Sequence, residues 1–102
     1  MYVMVYTTCE SKSEAEKIAT ILVGERLTAC VNYFPVRSIY SWKGAVEKAR
    51  EYILLCKTQK KNIKRMERRI KELHSYECPA FIAYPMNYGS KDYLRWIKEN
   101  TD

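Results

Sequence analysis

The side chains best suited to chemistry in this chain are one histidine and four cysteines. His74 is the only histidine, and imidazole is a strong ligand for copper and zinc. The cysteines are widely spaced without a C-x-x-C pair, at Cys9, Cys30, Cys56 and Cys78. Tight metal binding needs three or four ligands, so His74 alone predicts a weak site. A structural role stays open, because His74 ends a predicted helix, where the dipole favours a cation.

Three of the four cysteines lie in apolar runs, which favours buried free thiols over disulfides. Cys30 is one of them, and it is either a buried thiol or a soft metal donor. The N-terminal residues 1–8 lack the basic start of a signal peptide and are typical of a strand. We therefore expect a cytoplasmic location. No segment reaches the roughly 20 apolar residues of a membrane span, so no membrane partner is expected.

The sequence carries no recognisable catalytic motif. Acyl transfer usually places a histidine beside a serine or cysteine nucleophile, and only His74 is available. The chain also lacks the G-x-x-x-x-G-K-[ST] loop that cradles phosphates. These observations predict a protein that is not an enzyme.

A basic segment accounts for most of the net charge of +6, since residues 59–74 hold seven bases and two acids. Such a segment suggests nucleic-acid binding, and some RNA-recognition domains share the fold predicted below. Those domains read bases with a Lys/Arg-Gly-Phe-like motif on the third strand. Residues 51–57 (EYILLCK) have no such motif. The segment is therefore interpreted as a solvated helix face, without a nucleic-acid partner.

Hydrophobic periodicity and helix signals predict seven elements. Ser11 and Glu14 form a capping box that starts the first helix, and Ser90 is the predicted N-cap of the last. Residues 45–51 fit a helix as well as a strand, whereas residues 52–56 indicate a buried strand. The predicted elements are strand 2–8, helix 11–24, strands 28–42 and 45–58, helix 59–74, strand 80–84 and helix 91–99. This β-α-β-β-α-β-α order predicts one α+β domain over residues 1–102, a ferredoxin-like split βαβ sandwich.

The middle of the chain predicts an unusually long β2–β3 hairpin. A strand of about 14 residues would span about 45 Å, whereas a domain of this size has a radius of gyration near 13 Å. The protruding part is apolar, with Phe34, Val36, Ile39, Tyr40 and Trp42. A long apolar edge favours pairing with another chain, so we expect an oligomer. Pro35 predicts a kink or bulge near residues 34–36, and shorter, bent strands are the alternative.

Several blocks of the sequence resemble the CutA family of divalent-cation-tolerance proteins. They are residues 25–32 (ERLTACVN), 38–44 (SIYSWKG), 74–79 (HSYECP) and 92–97 (DYLRWI), with Glu51, Leu54, Lys57, Thr58 and Pro85. The resemblance covers essentially the whole chain. It implies a ferredoxin-like fold, strand structure for residues 45–58, and a tight homotrimer related to PII-like signalling trimers. It also implies a link to copper tolerance, binding of copper or other divalent ions, and no agreed enzymatic activity.

The resemblance implies two metal ligands. His74 matches a position proposed as a ligand in some relatives, and Cys30 matches the family's Ala-Cys-Val-Asn block. The chain departs from the family at the end of the first strand. Some relatives have a cysteine there, whereas this chain has Thr7 and its own Cys9 comes two residues later.

A second set of residues suggests a small-molecule site between subunits. Aromatic rings with one lysine and one carboxylate could hold an anionic or zwitterionic ligand, with Lys57 and Glu77 as a buried pair. The set comprises Tyr40, Trp42, Lys57, Tyr76, Glu77 and Trp96. The alternative is that these residues only stabilise the interface. The first hypothesis is thus a metal-binding tolerance protein, and the second is a PII-like signalling or scaffold trimer with a small ligand.

Overall fold

A computed structural model describes all 102 residues as a four-stranded antiparallel sheet with three helices. The strands are β1 (Tyr2–Cys9), β2 (Cys30–Trp42), β3 (Ala45–Gln59) and β4 (Ile82–Pro85). The helices are α1 (Lys12–Gly24), α2 (Ile63–Leu73) and α3 (Lys91–Glu99), and a 3-10 turn (Lys60–Asn62) precedes α2. The strands lie in the order β2-β3-β1-β4, which is the split βαβ arrangement. The predicted α+β class and element order are confirmed.

Helices α1 and α2 cover one face of the sheet, which we call the closed face. Alternate residues of β1 and β3 point toward it, and Val5 lies opposite Cys56 in the ladder. The predicted apolar stripe of α1 packs there, with Ala15, Ile18 and Leu22 fully buried. Ser11 caps this helix as predicted, because its side chain accepts a hydrogen bond from the Glu14 amide. The closed face holds the hydrophobic core.

The opposite side of the sheet, the open face, is covered at one end only. Helix α3 lies over that end, and Ile97 is its one fully buried apolar side chain. Gln59, at the end of β3, donates to the hydroxyl of Thr101 just beyond α3. The remaining open face carries apolar side chains, namely Met4, Tyr6, Phe34, Val36, Ile53, Leu55, Ile82 and Tyr84.

The β2–β3 hairpin has an unbroken register from the Cys30–Lys57 pair to the Trp42–Ala45 pair. Residues 45–51 are therefore strand, as the family resemblance implied. Lys43 and Gly44 form a two-residue turn with positive φ at both positions, +50° and +82°. The hairpin contributes to an elongated molecule of 44 × 25 × 22 Å.

The predicted bulge near residues 34–36 is wrong. Pro35 lies directly opposite Tyr52, and no extra residue enters the ladder. The reason is the position of β2 at the edge of the sheet. An edge strand has one side without a partner strand, and a proline that turns its missing N–H toward that side leaves the ladder intact.

Candidate functional site

A groove of about 590 Å³ lies on the open face, between the hairpin and the loop of residues 74–81. We call it the hairpin groove. Its lining is aromatic and acidic, and consists of Tyr6, Thr8, Ser38, Ile39, Tyr40, Trp42, Glu51, Ser75, Tyr76, Glu77, Cys78 and Ala80. Four of the six residues predicted to hold a small ligand lie here, namely Tyr40, Trp42, Tyr76 and Glu77.

Glu51 is the functional candidate that sequence reasoning missed. It is the only charged residue among the buried ones, with 7% of its surface exposed. Its Oε2 accepts a hydrogen bond of 2.8 Å from the hydroxyl of Tyr76. Burial and this bond raise the pKa of Tyr76 well above its usual range. The available signal was a single acid at the start of an apolar strand segment, EYILLC.

His74 fixes the start of the loop with both of its ring nitrogens. Its Nε2 lies 2.6 Å from the carbonyl oxygen of Thr8, and its Nδ1 lies 3.0 Å from the amide nitrogen of Tyr76. These partners assign the neutral tautomer in which Nε2 donates and Nδ1 accepts. A metal would need a free nitrogen lone pair, which is Nδ1 and is already engaged. The arrangement favours the structural role of His74 at the end of α2.

Glu14 anchors the same loop from α1. Its carboxylate accepts hydrogen bonds from the amide and the hydroxyl of Ser75, at 2.8 and 3.1 Å, and from the amide of Glu10 at 3.4 Å. Partial burial raises the pKa of Glu14, but the hydrogen bonds from Ser75 and from the amide of Glu10 outweigh burial and lower it. The loop that walls the groove is thus held by a charged side chain from the closed side.

The other two predicted small-ligand residues lie at the opposite end of the open face, around Cys30. The ammonium of Lys57 lies 3.9 Å from the sulfur of Cys30. Burial and the neighbouring Cys30 raise the pKa of Tyr93, and the ring of Tyr93 stacks on Trp96 at 5.6 Å. Lys57 and Trp96 therefore do not line the groove, and Lys57 forms no ion pair with Glu77.

The two predicted metal ligands are separated within one chain. Cys30 lies opposite Lys57, which lies opposite Met4, whereas His74 bonds to Thr8. Four residues along β1 correspond to about 13 Å. No group of three or more His, Cys, Asp or Glu side chains is placed to hold a metal ion in this chain. The donor set of a single subunit therefore does not fit a copper site.

All four cysteines are free. Burial raises the pKa of the Cys9 thiol to about 11 and that of the Cys56 thiol to about 12, so both behave as apolar core groups. Cys78 is exposed at the groove, and Cys30 is half-buried. Thr7, at the position where some relatives have a cysteine, is fully buried with its hydroxyl unpaired.

Comparison with known proteins gives relatives of the same length. The divalent-cation tolerance protein CutA of Thermus thermophilus is 42% identical over 99 residues, which cover 96% of each chain. The protein of the same name from Archaeoglobus fulgidus is 37% identical over 102 residues, the whole of both chains. Solved structures of the two proteins superpose on this fold with TM-scores of 0.97 and 0.98, each covering both chains completely.

The predicted cytoplasmic location is wrong. The Archaeoglobus fulgidus structure is that of a periplasmic protein by name. A chloroplastic CutA protein of Arabidopsis thaliana is 35% identical over 100 residues, which cover 97% of this chain and 55% of that protein. The expectation rested on an N-terminal segment that forms the central strand β1, and this strand is compatible with more than one compartment. No helix of the chain combines the length and apolar character needed to cross a membrane.

A family model described as CutA1 divalent ion tolerance protein matches residues 3–100. The match spans every strand and helix of the fold and both ends of the open face. Together with the full-length relatives, it confirms the resemblance seen in the sequence blocks. This chain belongs to the CutA1 family of divalent ion tolerance proteins.

Proposed function

We propose that this protein is a homotrimeric divalent-cation tolerance protein that binds divalent metal ions, copper among them, with ligands from more than one subunit. The observation that carries the proposal is full-length identity of 37–42% to proteins named for divalent-cation tolerance. The shared fold extends over the complete chains of two such proteins.

The uncovered part of the open face supports assembly into an oligomer. Phe34 and Tyr84 on this face are 39% and 49% exposed. On the reverse side of the hairpin, near its tip, Ile39 and Val46 are 70% and 75% exposed. Strand β2 is an edge strand of 13 residues with one unpaired side. Long apolar edges of this kind are normally covered by another chain. A closed trimer would cover the edge and the face in every subunit.

Cys30 is the proposed metal contact of each subunit. It is half-buried, lies on the edge strand, and carries the soft sulfur donor that copper favours. Neighbouring subunits would supply the further ligands, because a tight site needs three or four. His74 is assigned to the loop instead, since both of its nitrogens already have partners.

The proposal is of a binding protein and not of an enzyme. A histidine that acts as a general base needs a nitrogen lone pair directed at a nucleophile. The lone pair of Nδ1 in His74 is directed at the amide of Tyr76. The chain has no other histidine.

Calorimetric titration with copper, without oxygen, tests the metal site, and sedimentation equilibrium tests the trimer. We expect saturable binding that Cys30→Ser weakens at least tenfold, and a mass of three chains. Cys78→Ser is the matched control, because it removes an exposed thiol from the groove. Unchanged copper binding by Cys30→Ser would show that Cys30 is not a metal ligand. A monomeric mass would show that no site is shared between subunits.

A further inference from the structure

We propose that the exposed side of helix α2 binds the phosphate backbone of a nucleic-acid duplex, without reading its base sequence. The surface is formed by four bases, Lys60, Lys61, Lys64 and Arg68, which we call the basic stripe. The inference goes beyond metal binding. It rests on the position of the stripe, on its uncompensated charge, and on the kinds of side chain that it contains.

The basic stripe faces away from the proposed subunit interface. Met66 and Ile70 turn the apolar side of α2 toward the closed face of the sheet, and both are buried. Lys64 and Arg68 lie on the opposite side of the helix and are exposed. The proposed trimer covers the open face and the edge of β2, on the other side of the sheet. A neighbouring subunit placed there would not cover the stripe.

The charge of the basic stripe is not compensated within the chain. Each of four carboxylates near α2 pairs with a base outside the stripe, namely Glu25 and Glu72 with Arg69, Glu67 with Lys71, and Asp102 with Arg26 and Arg65. No base of the stripe takes part in any of the seven ion pairs of the chain. Four positive charges are therefore available to an external anion.

The bases of the stripe do not stabilise the helix that carries them. Lys64 and Arg68 are four residues apart on α2, where like charges repel. Lys60 and Lys61 lie in the 3-10 turn at its N-terminal end, and the first turn of α2 contains no acid. The helix dipole favours acids and disfavours bases at that end. A charge pattern that opposes helix formation in two ways indicates a role outside the fold.

The composition of the stripe favours a duplex over other anionic partners. A single strand is held by aromatic rings that stack on its bases, and a lipid surface by apolar side chains that enter it. No large apolar residue between residues 47 and 81 is exposed. A row of bases on an exposed helix can contact several phosphates of a duplex through charge alone.

The lack of a base-reading motif in residues 51–57 does not bear on this contact. Such a motif holds unpaired RNA bases on the surface of a sheet, whereas a duplex backbone is bound without reading bases. The sequence therefore argued against one mode of nucleic-acid binding, and the surface of α2 supports another.

Fluorescence anisotropy of a labelled DNA duplex of about 20 base pairs tests the inference. A chelator in the buffer keeps metal binding out of the measurement. With four phosphate contacts, the logarithm of the binding constant should fall against the logarithm of the salt concentration with a slope of about −3.6. Affinity should then drop on the order of a hundredfold between about 50 and 200 mM salt. Two duplexes of unrelated sequence should bind within about twofold of each other.

A triple variant, Lys61→Gln, Lys64→Gln and Arg68→Gln, removes three charges of the stripe. It should weaken duplex binding at least tenfold and make the slope less steep by about three. The matched control lowers the net charge equally by glutamine substitution of three exposed lysines on α1 and α3, namely Lys17, Lys91 and Lys98. The control should weaken binding less than threefold and leave the slope unchanged.

Urea unfolding should show the stripe variant to be at least as stable as wild type, because it removes the repulsion between Lys64 and Arg68. Absence of duplex binding at about 50 mM salt would show a solvated helix face and overturn the proposal. Equal weakening by the two triple variants would also overturn it, because net charge and not the stripe would then be the cause. Tighter binding to phosphatidylserine vesicles, or to a single strand of the same duplex, would overturn it in favour of that partner.

Discussion

The two faces of the sheet differ in how completely one chain buries them, and two neighbouring residues of β3 show the difference. Leu54 is fully buried on the closed face, beneath α1 and α2. Leu55 points to the open face and is only half-buried. Beneath the two helices the closed face is complete within one chain, whereas the open face keeps exposed apolar side chains, an acidic groove and a free thiol. The core that folds a single chain therefore lies on one face of the sheet, and the surface proposed for assembly lies on the other.

The largest expected effect is loss of assembly on placing a charge on the open face. Phe34→Asp puts a carboxylate on β2, at a side chain that is 39% exposed in the single chain. A charge buried in a subunit interface is costly, so we expect a monomer by sedimentation equilibrium. Val23→Asp is the matched control, because Val23 is 43% exposed on α1 and outside the open face. Equal oligomer content in the two variants would argue against an interface on the open face.

The next effect separates the faces through the two adjacent leucines. Leu54→Ala leaves a cavity in a filled core and should lower the free energy of unfolding by about 2–5 kcal/mol. Leu55→Ala should cost less, and its cost should depend on protein concentration, because a neighbouring subunit of the proposed trimer would complete the burial of that side chain. Urea unfolding at two protein concentrations measures both. If both variants lose the same free energy of unfolding at both protein concentrations, then the two faces do not differ in this way.

A smaller effect, of opposite sign, is expected at Thr7. Its buried hydroxyl has no hydrogen-bond partner, so Thr7→Val removes an unsatisfied group with little change of shape. We expect stabilisation by about 1 kcal/mol. Thr58→Val is the control on the same face, because the hydroxyl of Thr58 donates to the carbonyl of Leu27 at 2.7 Å. Thr58→Val should therefore lower the free energy of unfolding. If both variants raise it, the hydrogen bonding of the hydroxyl groups does not explain the change.

The fold was predictable where the signals are local. Ser11 and Ser90 cap their helices as expected, because each side chain accepts from an amide three residues away. Residues 45–51 remained undecided from periodicity, since alanine and charged residues there suit a helix. Pairing with β2 decides their structure, and this pairing is not local. The effect of Pro35 was mispredicted for the same reason, because the free edge of β2 follows from the strand order.

The candidate site was predictable only in part. Tyr40 and Trp42 are two residues apart on one strand and share a face, which the period of a strand implies. Lys57 shares that face with Glu51, but six residues along β3 separate them by about 20 Å. Sequence spacing gave no means of dividing the six predicted residues between the two ends of the sheet. The role of Glu51 depends on its contact with Tyr76, 25 residues away, which the loop creates.

The smallest expected effect joins the two faces, because Glu14 lies on α1 and holds the loop that walls the groove. The folded-state pKa of Glu14 is below its ordinary value of 4.5, so its ionised form stabilises the fold above that pH. This contribution is lost as the pH falls below 4.5 and passes through the lowered pKa. In Glu14→Gln the free energy of unfolding should therefore decrease less steeply at acid pH than in wild type, as measured by urea unfolding across this pH range.

Solvent around the half-exposed carboxylate reduces this effect, so we expect a smaller change than for Thr7→Val. Glu99→Gln is the control, because the side chain of Glu99 has no ion-pair or hydrogen-bond partner in the chain. If stability falls with decreasing pH equally in wild type and Glu14→Gln, then the hydrogen bonds between Ser75 and residue 14 do not depend on the charge of the carboxylate.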